Sequence, residues 1–439
     1  MIDLSAILPR LTRAVAGAES RPVRGRLREV RGILAEAAIP TARIAELCHL
    51  RDPVNGRIVP AEVIGFRGDV AILSAVGDLQ GLSSRCEVIP TGATLRVRVG
   101  DGLLGRVIDP MGGPLDARPA PCDGHVRPVE VDPPRAMDRD PIRSPLALGI
   151  RAIDGLITVA EGQRIGIFGE AGVGKSSLLA SIIAGTEADV IVIGLIGERG
   201  REVRELLDAR LPVAARARTV AVVATSDRPA IERVKAAHTA TTVAEHFRDA
   251  GARVLLVMDS ITRFARAQRE VGLAAGEPPT RRGFPPSFFS ALPRLLERAG
   301  PGKGGSITGL YTVLTEGDVA MDPVAEEVKS ILDGHIMLSP DLAERDHFPA
   351  IDILRSRSRL MGAVASDRHR DLATRIRASL AAHEQVELLL RVGEYASGSD
   401  PAVDDAIARH PRIEAFLRQP PAEEGDLPDT LRRMEAIFS

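Results

Sequence analysis

The sequence predicts an α/β protein: a phosphate-loop nucleotide-binding core with a small β-barrel before it and a helical domain after it. Three observations carry that prediction. Residues 169–177 read GEAGVGKSS, so Gly169, Gly174, Lys175 and Ser176 fill every fixed position of the phosphate loop G-x-x-x-x-G-K-[ST]. Around this loop, apolar runs of strand length alternate with helical patterns, as a mostly parallel sheet requires. On either side the texture changes, to short β-like runs over residues 21–94 and to unbroken helical periodicity from Asp367 onward.

At 439 residues the chain is longer than one ordinary core allows. It reads as an amphipathic segment at 1–20, a barrel at 21–94, a nucleotide-binding core at 95–366 and a helical domain at 367–439. A composition of 44% apolar and 26% charged residues is that of a soluble globular protein. A net charge of -2 supplies no general attraction to nucleic acid or acidic lipid. Cys48, Cys86 and Cys122 are odd in number and far apart, which fits a reducing compartment and neither a disulfide framework nor a zinc spacing. No signal-peptide pattern and no bilayer-length apolar run is present, so the expected location is cytoplasmic, with any membrane contact peripheral.

In chain order, Ile2, Leu4, Ile7, Leu8, Leu11 and Val15 lie at near-helical spacing. Such a segment can dock on its own domain or on a partner. From residue 21 to 94, runs at 25–33, 43–49, 58–64, 70–73 and 85–89 are separated by Asn55-Gly56, Gly68-Asp69 and Gly77-Asp78, the pattern of a small closed barrel. A nucleic-acid barrel needs a basic groove with stacking aromatics. Here ten Arg face eight acidic residues and Phe66 is the only aromatic, which argues against RNA or DNA. Residues 95–140 are rich in Pro, Gly and Asp and read as an ordered connector.

The core begins with a strand over 164–168 that feeds the phosphate loop. The loop backbone, Gly169, Glu170, Ala171, Gly172, Val173 and Gly174 leading into Lys175, Ser176 and Ser177, is expected to wrap the phosphates with N–H groups at a helix start. Lys175 would reach the β- and γ-phosphates, and the Ser176 hydroxyl would ligate Mg²⁺. Strands are expected at 190–196, 220–225 and 253–259, with helices at 201–210 and 229–250. The run RVLLVMD ends in Asp259, the Walker B pattern that carries a carboxylate to the sheet edge beside the phosphates. Hydrolysis also needs a group that orients and deprotonates the attacking water. Glu198, between Gly197 and Arg199 just past the second core strand, is the best candidate. Downstream lie a strand at 306–314, an acidic loop at 316–323, a helix at 324–332, a strand at 335–338 and the arginines 355, 357 and 359.

The order barrel, phosphate-loop core and helical domain, with stretches such as GERGREV, TATTVAEHFRDAG, VMDSITRFARAQREVGLAAGEPP and DPVAEEVKSILDGHI, resembles the catalytic subunits of rotary ATP synthases. The resemblance is closer to the type III protein-export ATPases, with the flagellum-specific export ATPase the best fit. It implies a RecA-like core and Mg-dependent ATP hydrolysis coupled to chaperone release, unfolding and export of flagellar proteins. It further implies that Glu198 activates water, that Arg199 is its charge partner, and that Asp259 organises Mg²⁺ through water. Phe348 in HFPAIDIL would stack on adenine, and Arg359 of the Ser358-Arg359 pair would be an arginine finger reaching a neighbouring subunit. The implied assembly is a homohexamer. Its implied partners are a stator-like regulatory protein at the N-terminal segment, a central stalk, export chaperones and cargo, at the inner membrane. A virulence-type secretion ATPase shares nearly all these motifs and is the alternative. A rotary synthase subunit would normally carry Thr where Ser176 stands.

Overall fold

The computed structural model describes residues 24–315, 322–421, 423 and 425–439. The amphipathic segment expected within 1–20, and residues 316–321 of the expected acidic loop, lie outside the described residues. The chain forms two compact units, Met1–Thr94 and Leu95–Ser439.

In the first unit, β1 (Gly25–Arg31), β2 (Leu34–Ala38), β3 (Glu46–Arg51), β4 (Ile58–Arg67), β5 (Val70–Ala75) and β6 (Glu87–Thr94) close into a barrel in the order β1-β2-β5-β4-β3-β6. Alternate residues point inward, among them Ala35, Ala37, Cys48, Leu50, Ala61 and Leu73. The small side chains suit the narrow interior of a six-stranded barrel. The run expected as one strand over 25–33 is instead a hairpin that turns at Gly32, whose φ is +59°. Its second arm, LAEAA, has weak strand propensity. It is held by pairing on both edges, Ala37 to Leu27 of β1 and to Ala71 of β5.

In the second unit, β7 (Arg96–Val99) pairs antiparallel with β9 (His125–Pro128), and β8 (Val107–Ile108) joins the edge of the main sheet. The segment 95–140 is therefore more than a connector, since it supplies a strand to the core. The remaining strands are β10 (Arg164–Gly169), β11 (Val190–Ile196), β12 (Thr219–Ala224), β13 (Arg253–Asp259), β14 (Gly300–Pro301), β15 (Ser306–Leu314), β16 (Gly334–Leu338) and β17 (Ile351–Ser358). Their order is β17-β16-β10-β15-β13-β11-β12-β8, with β14 on β15. All pairs are parallel except β16 with β17 and β14 with β15. Parallel pairing brings the carboxyl ends of β10, β11 and β13 to one edge, where ligands of such sheets bind.

Helices cover this sheet, which is why its central strands β11, β12, β13 and β15 are buried along almost their whole length. They are α1 (Arg151–Leu156), α2 (Lys175–Gly185), α3 (Gly200–Arg204), α4 (Val213–Ala217), α5 (Ala230–Asp249), α6 (Ile261–Ala274), α7 (Pro286–Leu296), α8 (Pro323–Ile331), α9 (Pro340–Glu344) and α10 (Met361–Val364). The C-terminal helices are α11 (Asp367–Val392), α12 (Pro401–Leu417) and α13 (Leu427–Ala436). Ser366 caps α11, which stops at Gly393 in the left-handed region. Asp400 caps α12 with Pro401 in its first turn. Ile376, Ile413, Phe416 and Met434 from these helices pack into the same apolar core as Ile153 and Leu156 of α1. Arg151 fastens the join: its Nε donates to the Phe416 carbonyl at 3.0 Å, and it pairs with Glu423.

A buried ionic cluster holds the connector to the core. Arg298, 1% exposed, donates to both carboxylate oxygens of Glu245 on α5, at 2.9 and 2.7 Å, and to the Val129 carbonyl at 2.9 Å. Its other Nη donates to Thr242 Oγ1 at 2.8 Å. Removing one partner of such a pair leaves a charge buried without compensation. Arg298→Met should therefore lower the unfolding free energy by about 3 kcal/mol or more. Denaturant titration of the purified chain measures this, and a loss under about 1 kcal/mol would show that the cluster relaxes without it.

Candidate active site

The phosphate loop joins the end of β10 to the start of α2. Gly174, which caps α2, has φ +86°, and a Cβ there would lie 3.0 Å from Cε1 of Phe348. Only glycine satisfies both the turn and the approach of the ring. Phe348 thus lies against the loop, 38% exposed, on the segment that leads into β17. Its carbonyl accepts from the Gln419 backbone N–H at 3.0 Å, just beyond α12.

Lys175, the first residue of α2, turns towards β13. Its Nζ stands 2.7 Å from Oδ1 of Asp259, and Thr312 Oγ1 of β15 donates to the same oxygen at 2.6 Å. Both charged side chains are largely buried, 11% and 6% exposed. Ser176 and Asp259 line a cavity of about 60 Å³ together with Glu198. A hydroxyl beside carboxylates is a hard-oxygen donor set of the kind Mg²⁺ takes. Among the described residues no three His, Cys, Asp or Glu converge to hold a metal by themselves.

Glu198 lies two residues past the end of β11 and is 8% exposed. Gly197 before it has φ +70°, and a Cβ there would meet Cδ of Arg263 at 2.8 Å. Arg263 sits in the first turn of α6, whose N-cap Ser260 accepts from the Arg263 N–H. From there Arg263 Nε reaches Oε1 of Glu198 at 3.1 Å. Burial pushes the Glu198 carboxyl up to about 7, helped by the Asp259 carboxylate and the neighbouring Glu202 and opposed by Arg263 and Lys175. A carboxyl so placed is a base near neutral pH.

Arg199 does not pair with Glu198 as expected. Its side chain is 73% exposed and reaches along α3 to Glu202, Nη1 to Oε1 at 3.2 Å. Successive residues at a strand-to-helix turn point in different directions, so Glu198 enters the cavity and Arg199 faces solvent. The charge partner is Arg263, four residues after Asp259. Its position in the first helical turn behind the Walker B strand was the available signal.

Arg359 is not brought to this site. β17 runs antiparallel to β16, with Ile351 opposite Leu338 and Ser358 opposite Gly334, so Arg359 emerges at the amino edge of the parallel strands. Its N–H donates to the Asp333 carbonyl at 2.9 Å, and its side chain is exposed. Seven strand steps, about 23 Å, separate the two ends of β17.

Residues 149–358 match the ATP synthase alpha/beta family, nucleotide-binding domain. Residues 27–92 match the beta-barrel domain of that family, and residues 365–436 match the T3SS EscN ATPase C-terminal domain. The chain belongs to the ATP synthase α/β family, in its branch of type III secretion and flagellar export ATPases. A type 3 secretion system ATPase of Sinorhizobium fredii is 52% identical over 96% of this chain and 93% of its own length. A flagellum-specific ATP synthase of Bacillus subtilis is 44% identical over 94% of each. The assembled ATPase EscN of the enteropathogenic E. coli type III secretion system superposes with a TM-score of 0.90 at 47% identity, covering 94% of this chain and all of that one. The same protein in complex with its central stalk EscO superposes at 0.88, with equal identity and coverage. The chain is accordingly an ATP-hydrolysing export ATPase. Among the described residues no helix is long and apolar enough to cross a membrane.

Proposed function

We propose that this enzyme is the ATPase of a type III secretion system of the virulence type, coupling ATP hydrolysis to chaperone release, unfolding and export of secreted proteins. The observation that carries this reading is the difference in likeness: 52% identity to a type 3 secretion ATPase against 44% to a flagellum-specific relative over similar lengths. Flagellar export, which the sequence motifs placed first, has the weaker support.

In the proposed mechanism the loop from Gly169 to Ser177 holds the triphosphate, with Lys175 shifting from Asp259 onto it. Ser176 would hold Mg²⁺, with Asp259 contributing through water; when bound, the ion neutralises phosphate charge. Phe348 would stack on adenine. Glu198, ionised, accepts the proton of the attacking water as its oxygen bonds to the γ-phosphorus and the bond to ADP breaks. Arg359, at the far edge of its own sheet, would serve the neighbouring subunit's site. Such an arginine contributes roughly 10³ to 10⁵ in rate where it acts in trans. That requirement favours a closed ring, and we infer a homohexamer. The proposed partners are a central stalk along the ring axis, a stator-like protein at residues 1–20, and chaperones with cargo at α11 to α13, with the ring peripheral to the inner membrane.

Because Glu198 acts as a base, kcat/KM for ATP should rise with pH through about 7 and level above it. Removing a cation that favours the carboxylate raises its pKa, so Arg263→Gln should move that midpoint to higher pH and slow hydrolysis at neutrality. ATP's own ionisation does not respond to the substitution, so the shift is diagnostic; an unmoved midpoint would assign the base elsewhere.

The functional reading is tested in the cell. Deleting the gene should abolish secretion of type III effectors while leaving swimming intact, with rescue by wild type and not by Lys175→Ala. Loss of flagella with secretion retained would return the enzyme to flagellar export.

A further inference from the structure

We infer that Arg210 is a nucleotide-positioning residue that acts through Ser177, a role that rests on the phosphate loop being the ATP site. Residues Glu205–Arg210 continue α3 as a π-helical turn, a wider winding found often at functional sites. It carries Arg210 back to the first turn of α2, where Nη1 donates to Ser177 Oγ at 2.9 Å. The other side of the guanidinium is fixed by Glu205, whose Oε1 accepts from Nε at 3.1 Å and from Nη2 at 2.6 Å. Arg210 also lines the cavity that contains Ser176, Glu198 and Asp259.

A serine hydroxyl has one proton and two lone pairs. With a lone pair of Ser177 taken by the cationic guanidinium, its proton is turned away from Arg210 and is free to donate. Ser177 stands in the first turn of α2, where unpaired N–H groups and the helix dipole favour an anion. The hydroxyl is thereby set as a further donor to a nucleotide phosphate oxygen, polarised by the charge behind it. Glu198 is held by Arg263 and not by Arg210. The effect therefore falls on binding and not on the chemical step.

The test is ADP binding with Mg²⁺ and steady-state hydrolysis by the full-length chain, for Arg210→Met, Arg210→Lys, Ser177→Ala and the Arg210→Met/Ser177→Ala double variant. Arg210→Met and Ser177→Ala should each weaken ADP binding and raise KM about tenfold, as expected for one charge-assisted hydrogen bond, with kcat nearly unchanged. The double variant should be no weaker than either single one, because the two side chains form one unit. Arg210→Lys should restore part of the affinity, and it keeps the test open should Arg210→Met fold poorly. Unchanged ADP affinity in these variants, multiplicative losses in the double, or a fall in kcat at constant KM would each overturn the inference. Lys175→Ala run alongside separates the premises: if it binds ADP normally, the loop is not the nucleotide site; if it fails while Arg210→Met binds normally, only the role of Arg210 is lost.

Discussion

A lysine at the start of α2 and an aspartate at the end of β13, 2.7 Å apart and largely out of water, form the contact around which the carboxyl edge of the sheet is built. Two charges can be buried this way only if they meet with good geometry and the remaining acceptors are satisfied. Thr312 supplies that satisfaction, and it comes from β15, the strand between β10 and β13. Three strands must therefore be in register before the pair can form, so the order of the sheet and the site are one requirement. The same register, with Leu195 of β11 opposite Asp259, brings Glu198 just past the strand end near that carboxylate, whose repulsion helps to raise the Glu198 pKa.

Around that edge the rest of the unit acts as a clamp. The loop before β17 presses Phe348 against Gly174, and the Phe348 carbonyl is tied to Gln419. Gln419 in turn donates to the Gly149 carbonyl at 2.8 Å and accepts from the Arg151 N–H at 2.9 Å. The segment that packs on the nucleotide loop and the residues just beyond α12 thus share a short chain of hydrogen bonds. Through Phe348, the residues beyond α12 are therefore tied to the segment that packs against the phosphate loop.

Much of this was legible in the residues because the local signals were strong. The phosphate loop is a dense motif, and the runs at 190–196 and 253–259 are apolar enough to read as buried strands. What was not legible depends on tertiary pairing. Val107–Ile108 is too short to carry a pattern and becomes a strand only by lying on β12. LAEAA becomes one only between two barrel neighbours. Arg199 and Arg263 differ in direction and not in chemistry, and direction is set by where α3 and α6 begin. Arg359 is one of several arginines on its segment, distinguished only by family resemblance, and the antiparallel turn of β17 then explains why it stands far from its own phosphate loop.

The proposed mechanism depends on Glu198 as the group that takes the proton from water. Its most direct test is Glu198→Gln, which keeps the size and hydrogen-bonding outline and removes the base. Nucleotide binding should be preserved while ATP turnover falls by about 10² to 10⁴, the usual worth of a positioned general base. Hydrolysis within about tenfold of wild type would contradict the assignment and point to another residue at the carboxyl edge.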